Sequence, residues 1–184
     1  MIACETQRLF LRQLTTADSA FILDLLNQPD FIRNIGDRKV RTLDDAHRYI
    51  LAGPVASYGR WGFGPYLVGL KGAPVPIGIC GLLKRDYLDD PDVGFALLPA
   101  FRGLGYAFEA AAAAMRHGTA ALGLKRIVAM TAPHNDASIR VVQRLGLEFE
   151  RILRVPDQDR DTWLFTPGSR SLRELLQPRA QPNQ

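Results

Sequence analysis

The chain has 184 residues, one ordinary domain, because two would each fall below the usual domain size. Hydrophobic residues make up 47% and charged residues 23%, which excludes a disordered chain, and no apolar run approaches the ~18 residues of a membrane span. The formal charge of +4 is spread over 23 basic residues without a run of like charges, so it favours an anionic small ligand over direct nucleic-acid binding.

The opening MIACETQRLFLRQL has no secretory apolar core, and Cys4 and Cys80 make neither a disulfide framework nor a ligand cluster. A cytoplasmic domain over residues 1–170 is expected, without metal or membrane contact, followed by a short tail over 171–184. Arg8–Leu14 alternates as a strand, and Thr16-Ala17-Asp18 opens a helix that runs to Asn27 and stops at Pro29. Thr42 with Asp45 starts a second helix to about Ala52, ended by Gly53-Pro54. Tyr66–Leu70 and Ile77–Leu83 read as strands joined by a hairpin at Lys71-Gly72-Ala73-Pro74. After the acidic loop Asp86–Asp90, Asp92–Leu97 is a short strand ended by Pro99. A helix from about Gly103 to Leu122 contains Ala110–Ala114, and Gly123 terminates it. A strand Arg126–Thr131, a helix Asn135–Leu145, and strands near Glu148–Val155 and Thr162–Phe165 complete the order. Ser171–Leu176 reads as a last helical turn before a polar, disordered tail. A meander followed by β-α-β gives an α/β fold with a mixed sheet and helices on its faces.

The informative stretch is Asp92-Val-Gly-Phe-Ala-Leu-Leu-Pro-Ala-Phe-Arg-Gly-Leu-Gly-Tyr-Ala107, a strand, a short loop and a helix start. Free N–H groups and the helix dipole make that start an anion site, and Gly103, Gly105 and Ala107 let a ligand approach the backbone closely. A diphosphate suits it. The spacing is neither the G-x-G-x-x-G dinucleotide fingerprint nor a phosphate loop ending in Gly-Lys-Ser/Thr. A glycine turn serving only close helix–sheet packing is the plainer alternative.

Arg102-x-x-Gly105-x-Ala107 resembles the Q/R-x-x-G-x-G/A motif of the GCN5-related N-acetyltransferases (GNAT), and Asn135-Asp-Ala-Ser138 before Arg144-Leu-Gly146 is similar to their next motif. Glu5-Thr-Gln-Arg-Leu-x-Leu-Arg12 and Pro91-Asp-Val-Gly-Phe95 are similar to the branch acting on ribosomal-protein N-termini, and the resemblance runs from about residue 5 to 166. It implies a mostly antiparallel sheet splayed between the fourth and fifth strands, acetyl-CoA as co-substrate, and acetyl transfer to a primary amine in a ternary complex. By resemblance, free backbone groups of Phe95, Ala96 and Leu97 would bind the pantetheine arm, like a missing neighbouring strand. Arg102, Gly103, Leu104, Gly105, Tyr106 and Ala107 would hold the pyrophosphate. Asn135 would reach the pantetheine while capping the next helix, and Arg140 with Arg144 would meet the nucleotide's phosphates.

Many relatives place an acid tyrosine seven residues after the asparagine, where this chain has Val142. The resemblance puts Ser138 in that role, as a hydrogen-bond donor to the departing thiolate. Asp92, beside the sheet's opening, is the candidate proton acceptor. His47, His117 and His134 lack metal spacing, and only His134 falls near the expected site. Phe31, Ile35, Asp37, Arg38, Tyr58, Trp61, Phe63 and Tyr66 are expected to build the acceptor pocket, for a peptide N-terminus or a small-molecule amine. A homodimer is compatible with the resemblance. A CoA-binding module without chemistry and a basic ribosome- or RNA-associated protein stay open as rival readings.

Overall fold

A computed structural model describes residues 1–155 and 161–168. Strands β1 (Ile2–Glu5), β2 (Leu9–Gln13), β3 (Pro65–Leu70), β4 (Ala73–Leu83) and β5 (Asp92–Leu97) form an antiparallel sheet in chain order. Strands β6 (Ala129–Thr131), β7 (Leu147–Arg154) and β8 (Asp161–Pro167) form a second antiparallel sheet, in the order β6-β8-β7. The expected mixed, mostly antiparallel arrangement is present. The two sheets meet at β5 and β6 through a single parallel bridge, Asp92 with Val128.

Helices cover both faces. On one, α1 (Ser19–Leu26), α2 (Pro29–Asn34) and α3 (Leu43–Ile50) bury Ile22, Leu25, Leu26, Phe31 and Ile50 against Leu67 and Ile79 of the sheet. On the other lies α5 (Tyr106–Ala120), named after the intervening α4 (Ala56–Trp61). Its Ala110–Ala114 run is buried throughout, and Leu82 Cδ1 stands only 2.5 Å from where a side chain on Gly118 would begin. Side chains alternate along β5: Val93, Phe95 and Leu97 face the α5 core, while Ala96 packs in the α1–α3 cluster. The last helix among the described residues, α6 (Asp136–Arg144), packs against α5 and β7.

Several boundaries differ from the sequence expectation, among them the start of β4 at Ala73, which leaves the hairpin turn to Lys71-Gly72. Strand β1 is a half-exposed edge of four residues with no polar–apolar alternation to announce it. Pro29 does end α1, but it also occupies the first turn of α2, where its missing N–H costs nothing. The helix after Thr42 passes through Gly53-Pro54: residues Leu51–Val55 widen into a π turn, which relieves the clash a proline ring makes with an α-helical carbonyl. Strand β6 is shorter than Arg126–Thr131, because only Val128 of the preceding residues bridges to a neighbouring strand. The helical turn expected at Ser171–Leu176 and the polar tail lie outside the described residues. Among the described residues, no helix is long and apolar enough to cross a membrane.

One buried carboxylate ties the entry of α1 to the sheet. Asp18, 8% exposed, accepts from Arg12 Nη1 at 2.8 Å and Nη2 at 2.6 Å, and from the Thr15 N–H at 2.8 Å. Burial opposes its charge, but the Arg12 and Thr15 hydrogen bonds outweigh that and hold its carboxyl below the ordinary carboxylate range. A depressed native value stabilises the fold above the unfolded value of about 3.9, and the gain is lost as pH falls through the native one. Asp18→Asn is therefore expected to cost about 2 kcal/mol at pH 7 in urea denaturation, with the gap to wild type closing below about pH 4.

Candidate active site

The gap between β5 and β6 opens immediately after their bridge. Val93 N–H donates to the Val128 carbonyl at 2.8 Å, and Val128 N–H to that of Pro91 at 3.0 Å. Backbone groups of alternate residues in a strand point the same way, so those of Phe95 and Leu97 face the gap. Ala96, paired with Ile79 in register, turns its backbone toward β4, so it offers a side chain and not the free backbone groups expected of it. The Leu97 carbonyl is already taken by Arg102 Nε at 3.0 Å. Phe95, with the N–H of Leu97, is thus left as the strand's free peptide edge.

A cleft of about 740 Å³ fills the gap, lined on one side by β5 and on the other by His134, Asn135, Ser138, Arg140, Val141 and Arg144 of α6 and its entry. Gly103, Gly105, Tyr106, Ala107 and Phe108 line it at the start of α5. Gly103 and Gly105 have φ of +74° and +82°, left-handed values that disfavour any side chain. The first helical hydrogen bond of α5 runs from Glu109 N–H to the Gly105 carbonyl at 3.1 Å. The N–H groups of Tyr106, Ala107 and Phe108 come before it and have no acceptor within the helix. Partial positive charge is concentrated there.

Two residues of the expected anion site do other work. The Arg102 guanidinium, besides holding the Leu97 carbonyl, is ion-paired with Asp30 at the start of α2. Leu104 is 53% exposed and gives its carbonyl to Arg8 Nη1 at 3.1 Å. On the far wall, Asn135 Oδ1 accepts from the Ser138 N–H at 3.2 Å, capping α6. Ser138 is half-buried and lines the cleft, as do Arg140 and Arg144, the latter with its guanidinium 4.0 Å from the Phe108 ring centre. Val142, at the position of the family's tyrosine, is fully buried in the core.

The expected role of Asp92 is corrected by its burial. Its carboxylate is 3% exposed, accepts from Arg85 Nε at 2.7 Å and Nη2 at 3.2 Å, and does not line the cleft. Burial pushes it upward, against the pull of Arg85. Even-numbered side chains of β5 point into the α1–α3 layer, and the Arg85 side chain closes over this one.

The acceptor residues divide in the same way. Phe31 and Ile35 line the cleft, joined by Leu25, Asp30, Arg33 and Asn34, which sequence reasoning missed because Pro29 hid α2. Asp37 and Arg38 stand on an exposed loop away from it, Asp37 paired with Arg41 at 2.6 Å. Tyr58, Phe63 and Tyr66 belong to the core. The chain reverses at Gly62 (φ +76°), which lays α4 against β3. Tyr58 stacks on Tyr66 with ring centres 5.5 Å apart, and its hydroxyl accepts from Leu14 N–H at 3.1 Å and donates to the Pro65 carbonyl. Trp61 lies under Arg60 outside the cleft.

The thiols are poor nucleophiles. Burial pushes Cys4 up to about 11 and Cys80, inside the sheet, higher still. Among the described residues, no three His, Cys, Asp or Glu side chains are grouped as metal ligands.

A parted sheet, a glycine turn at a helix start in the parting, and an asparagine-capped helix opposite define an acetyltransferase of the GNAT class. The profile of the acetyltransferase (GNAT) domain matches residues 8–148, and the chain belongs to that family as an N-acetyltransferase. It is 28% identical over 159 residues to YoaA of Bacillus subtilis strain 168, an uncharacterized N-acetyltransferase, covering 82% of this chain and 85% of YoaA. The structure is similar to an acetyltransferase from Agrobacterium tumefaciens C58, with a TM-score of 0.76 and 24% identity over 90% and 94% of the two chains. It also shares its fold with RimL, a ribosomal L7/L12 α-N-protein acetyltransferase in complex with coenzyme A. There the TM-score is 0.77 and the identity 16%, over 90% and 97%.

Two substitutions test the site's construction. Gly105→Ala forces a side chain into a left-handed conformation and is expected to cost about 1 kcal/mol of unfolding free energy. Asp92→Asn leaves Arg85 buried without its counter-charge and is expected to cost about 3 kcal/mol in chemical denaturation, leaving the pH profile of turnover unchanged.

Proposed function

We propose that the chain binds acetyl-CoA in the β5–β6 cleft and transfers the acetyl group directly to a primary α-amine, of a peptide N-terminus or a small molecule. The observation that carries this reading is the convergence of the free Phe95 peptide edge and the unpaired N–H groups of α5 on one cleft. The residues fit the co-substrate: Gly103 to Phe108 present N–H groups suited to a diphosphate, and Phe95 offers an amide-sized arm both a donor and an acceptor. Arg140 and Arg144 supply positive charge further along the same wall.

Acetyl-CoA supplies the acetyl group as a thioester. Direct transfer is favoured because neither Cys4 nor Cys80 lines the cleft, and burial raises both thiols further from a thiolate. In this reading the Ser138 hydroxyl donates a hydrogen bond to the departing sulfur, which its half-buried position on the cleft wall supports. The amide Nδ2 of Asn135 supplies a second donor to the same region.

The acceptor class follows from what the cleft lacks. Its lining carboxylates among the described residues are Asp30, which is held by Arg102, and Asp136 in the first turn of α6. An α-amine with a pKa of about 8 is already partly neutral near pH 7, whereas a lysine amine of about 10.4 is neutral only to ~0.1% or less. A site whose one carboxylate without an ion pair among the described lining residues, Asp136, is exposed to solvent suits the first. Leu25, Phe31 and Ile35 give the acceptor an apolar seat.

Free-thiol release from acetyl-CoA, measured against N-terminal peptides, amino acids, polyamines and aminoglycosides, tests this. Turnover is expected with α-amine acceptors and should rise with pH toward about 8. Ser138→Ala is expected to lower kcat about 10²-fold with little change in KM for acetyl-CoA. Full activity in that variant removes Ser138 from the mechanism, and turnover confined to polyamines overturns the acceptor class.

A further inference from the structure

One arginine from the far edge of the sheet reaches the back of the glycine turn. Arg8, just before β2, donates from its backbone N–H to Glu109 Oε1 at 3.1 Å and from Nε to Glu109 Oε2 at 2.6 Å. Its Nη1 donates to the Leu104 carbonyl at 3.1 Å, and its guanidinium carbon lies 4.5 Å from the Tyr106 ring centre. The Thr6 hydroxyl donates to Glu109 Oε1 at 2.5 Å, so Glu109, with a side chain only 18% exposed, is satisfied from two sides. Arg8 does not line the cleft, whereas Gly105 and Tyr106 do.

Two physical effects meet at this arginine. A trans peptide holds its C=O and N–H in opposite directions, so tying the Leu104 carbonyl to Arg8 aims the Gly105 N–H away from Arg8. Glu109 sits in the first turn of α5, where a carboxylate stabilises the bare helix end but repels any second anion brought there. The guanidinium cancels that repulsion at contact distance. It does so without occupying the ligand's space.

We propose that Arg8 is a positioning residue for the diphosphate of the co-substrate, fixing the peptide of the glycine turn and neutralising Glu109 from behind it. Glu109, itself held by the Thr6 hydroxyl, keeps the guanidinium in place, so the Thr6-x-Arg8 segment belongs to nucleotide recognition although it does not line the cleft. This inference rests on the reading of the cleft as the acetyl-CoA site.

Binding of CoA and of pantetheine, which lacks the diphosphate, is to be measured by calorimetric and NMR titration of the full chain. Arg8→Met is expected to weaken CoA about tenfold and to leave pantetheine unchanged. Arg8→Lys, which keeps a charge beside Glu109 but lacks the fork that also reaches Leu104, is expected to fall between Met and wild type. Unchanged CoA affinity in Arg8→Met overturns the proposal, and so does an equal loss for CoA and pantetheine, which is the mark of general disturbance. If wild-type protein binds no CoA, the co-substrate reading itself fails, and this proposal with it.

Discussion

The structure depends on two strands that touch at one residue and then part. Had β5 and β6 continued to pair beyond Asp92 and Val128, the sheet would be unbroken and the Phe95 peptide edge consumed. Three features keep them apart. The Arg85–Asp92 pair sits at the fork itself, the Arg102 side chain takes the Leu97 carbonyl where a neighbouring strand would bond, and α5 and α6 both begin over the gap. A buried ion pair is weak evidence for net stability, because desolvation offsets much of its attraction. At this position its directional bonds hold the Asp92 side chain against Arg85 beside the point of divergence.

The same economy governs the other charges. The composition suggests a basic protein, yet many arginines are individually committed: Arg12 to Asp18, Arg41 to Asp37, Arg48 to Asp45, Arg102 to Asp30, and Arg126 to Asp90 and Glu150. Net charge therefore describes this surface poorly. What faces the cleft as usable positive potential is mostly backbone, the opening turn of α5, with Arg140 and Arg144 beyond it.

Much of the frame was legible because it is written locally. Alternation marked β2, Pro99 marked the end of β5, Thr42 with Asp45 marked the start of α3, and two glycines before an alanine-rich run marked the anion-facing turn. The losses have physical reasons. Burial of a carboxylate depends on which neighbour closes over it, so Asp92 read as a solvent-near base until Arg85 was seen to lie against it. The aromatics between Tyr58 and Tyr66 have the composition of a pocket, but the reversal at Gly62 folds them inward. Arg8 and Glu109 are 101 residues apart, and nothing local announces that they meet.

The five buried alanines of α5 set a distance as well as a packing pattern. Alanine methyls, together with Met115, meet the sheet's own side chains, so this stretch of the helix packs close on β4 and β5, and Gly118 continues that close approach toward the far end. The turn at Gly103–Gly105 is carried on the front of this helix, so its level over the cleft is determined by core packing several residues away. A longer side chain at a sheet-facing alanine of Ala110–Ala114 would act as a shim, tilting the turn at the front of the helix from several residues away. In this fold the level of the glycine turn is set in part by the hydrophobic core.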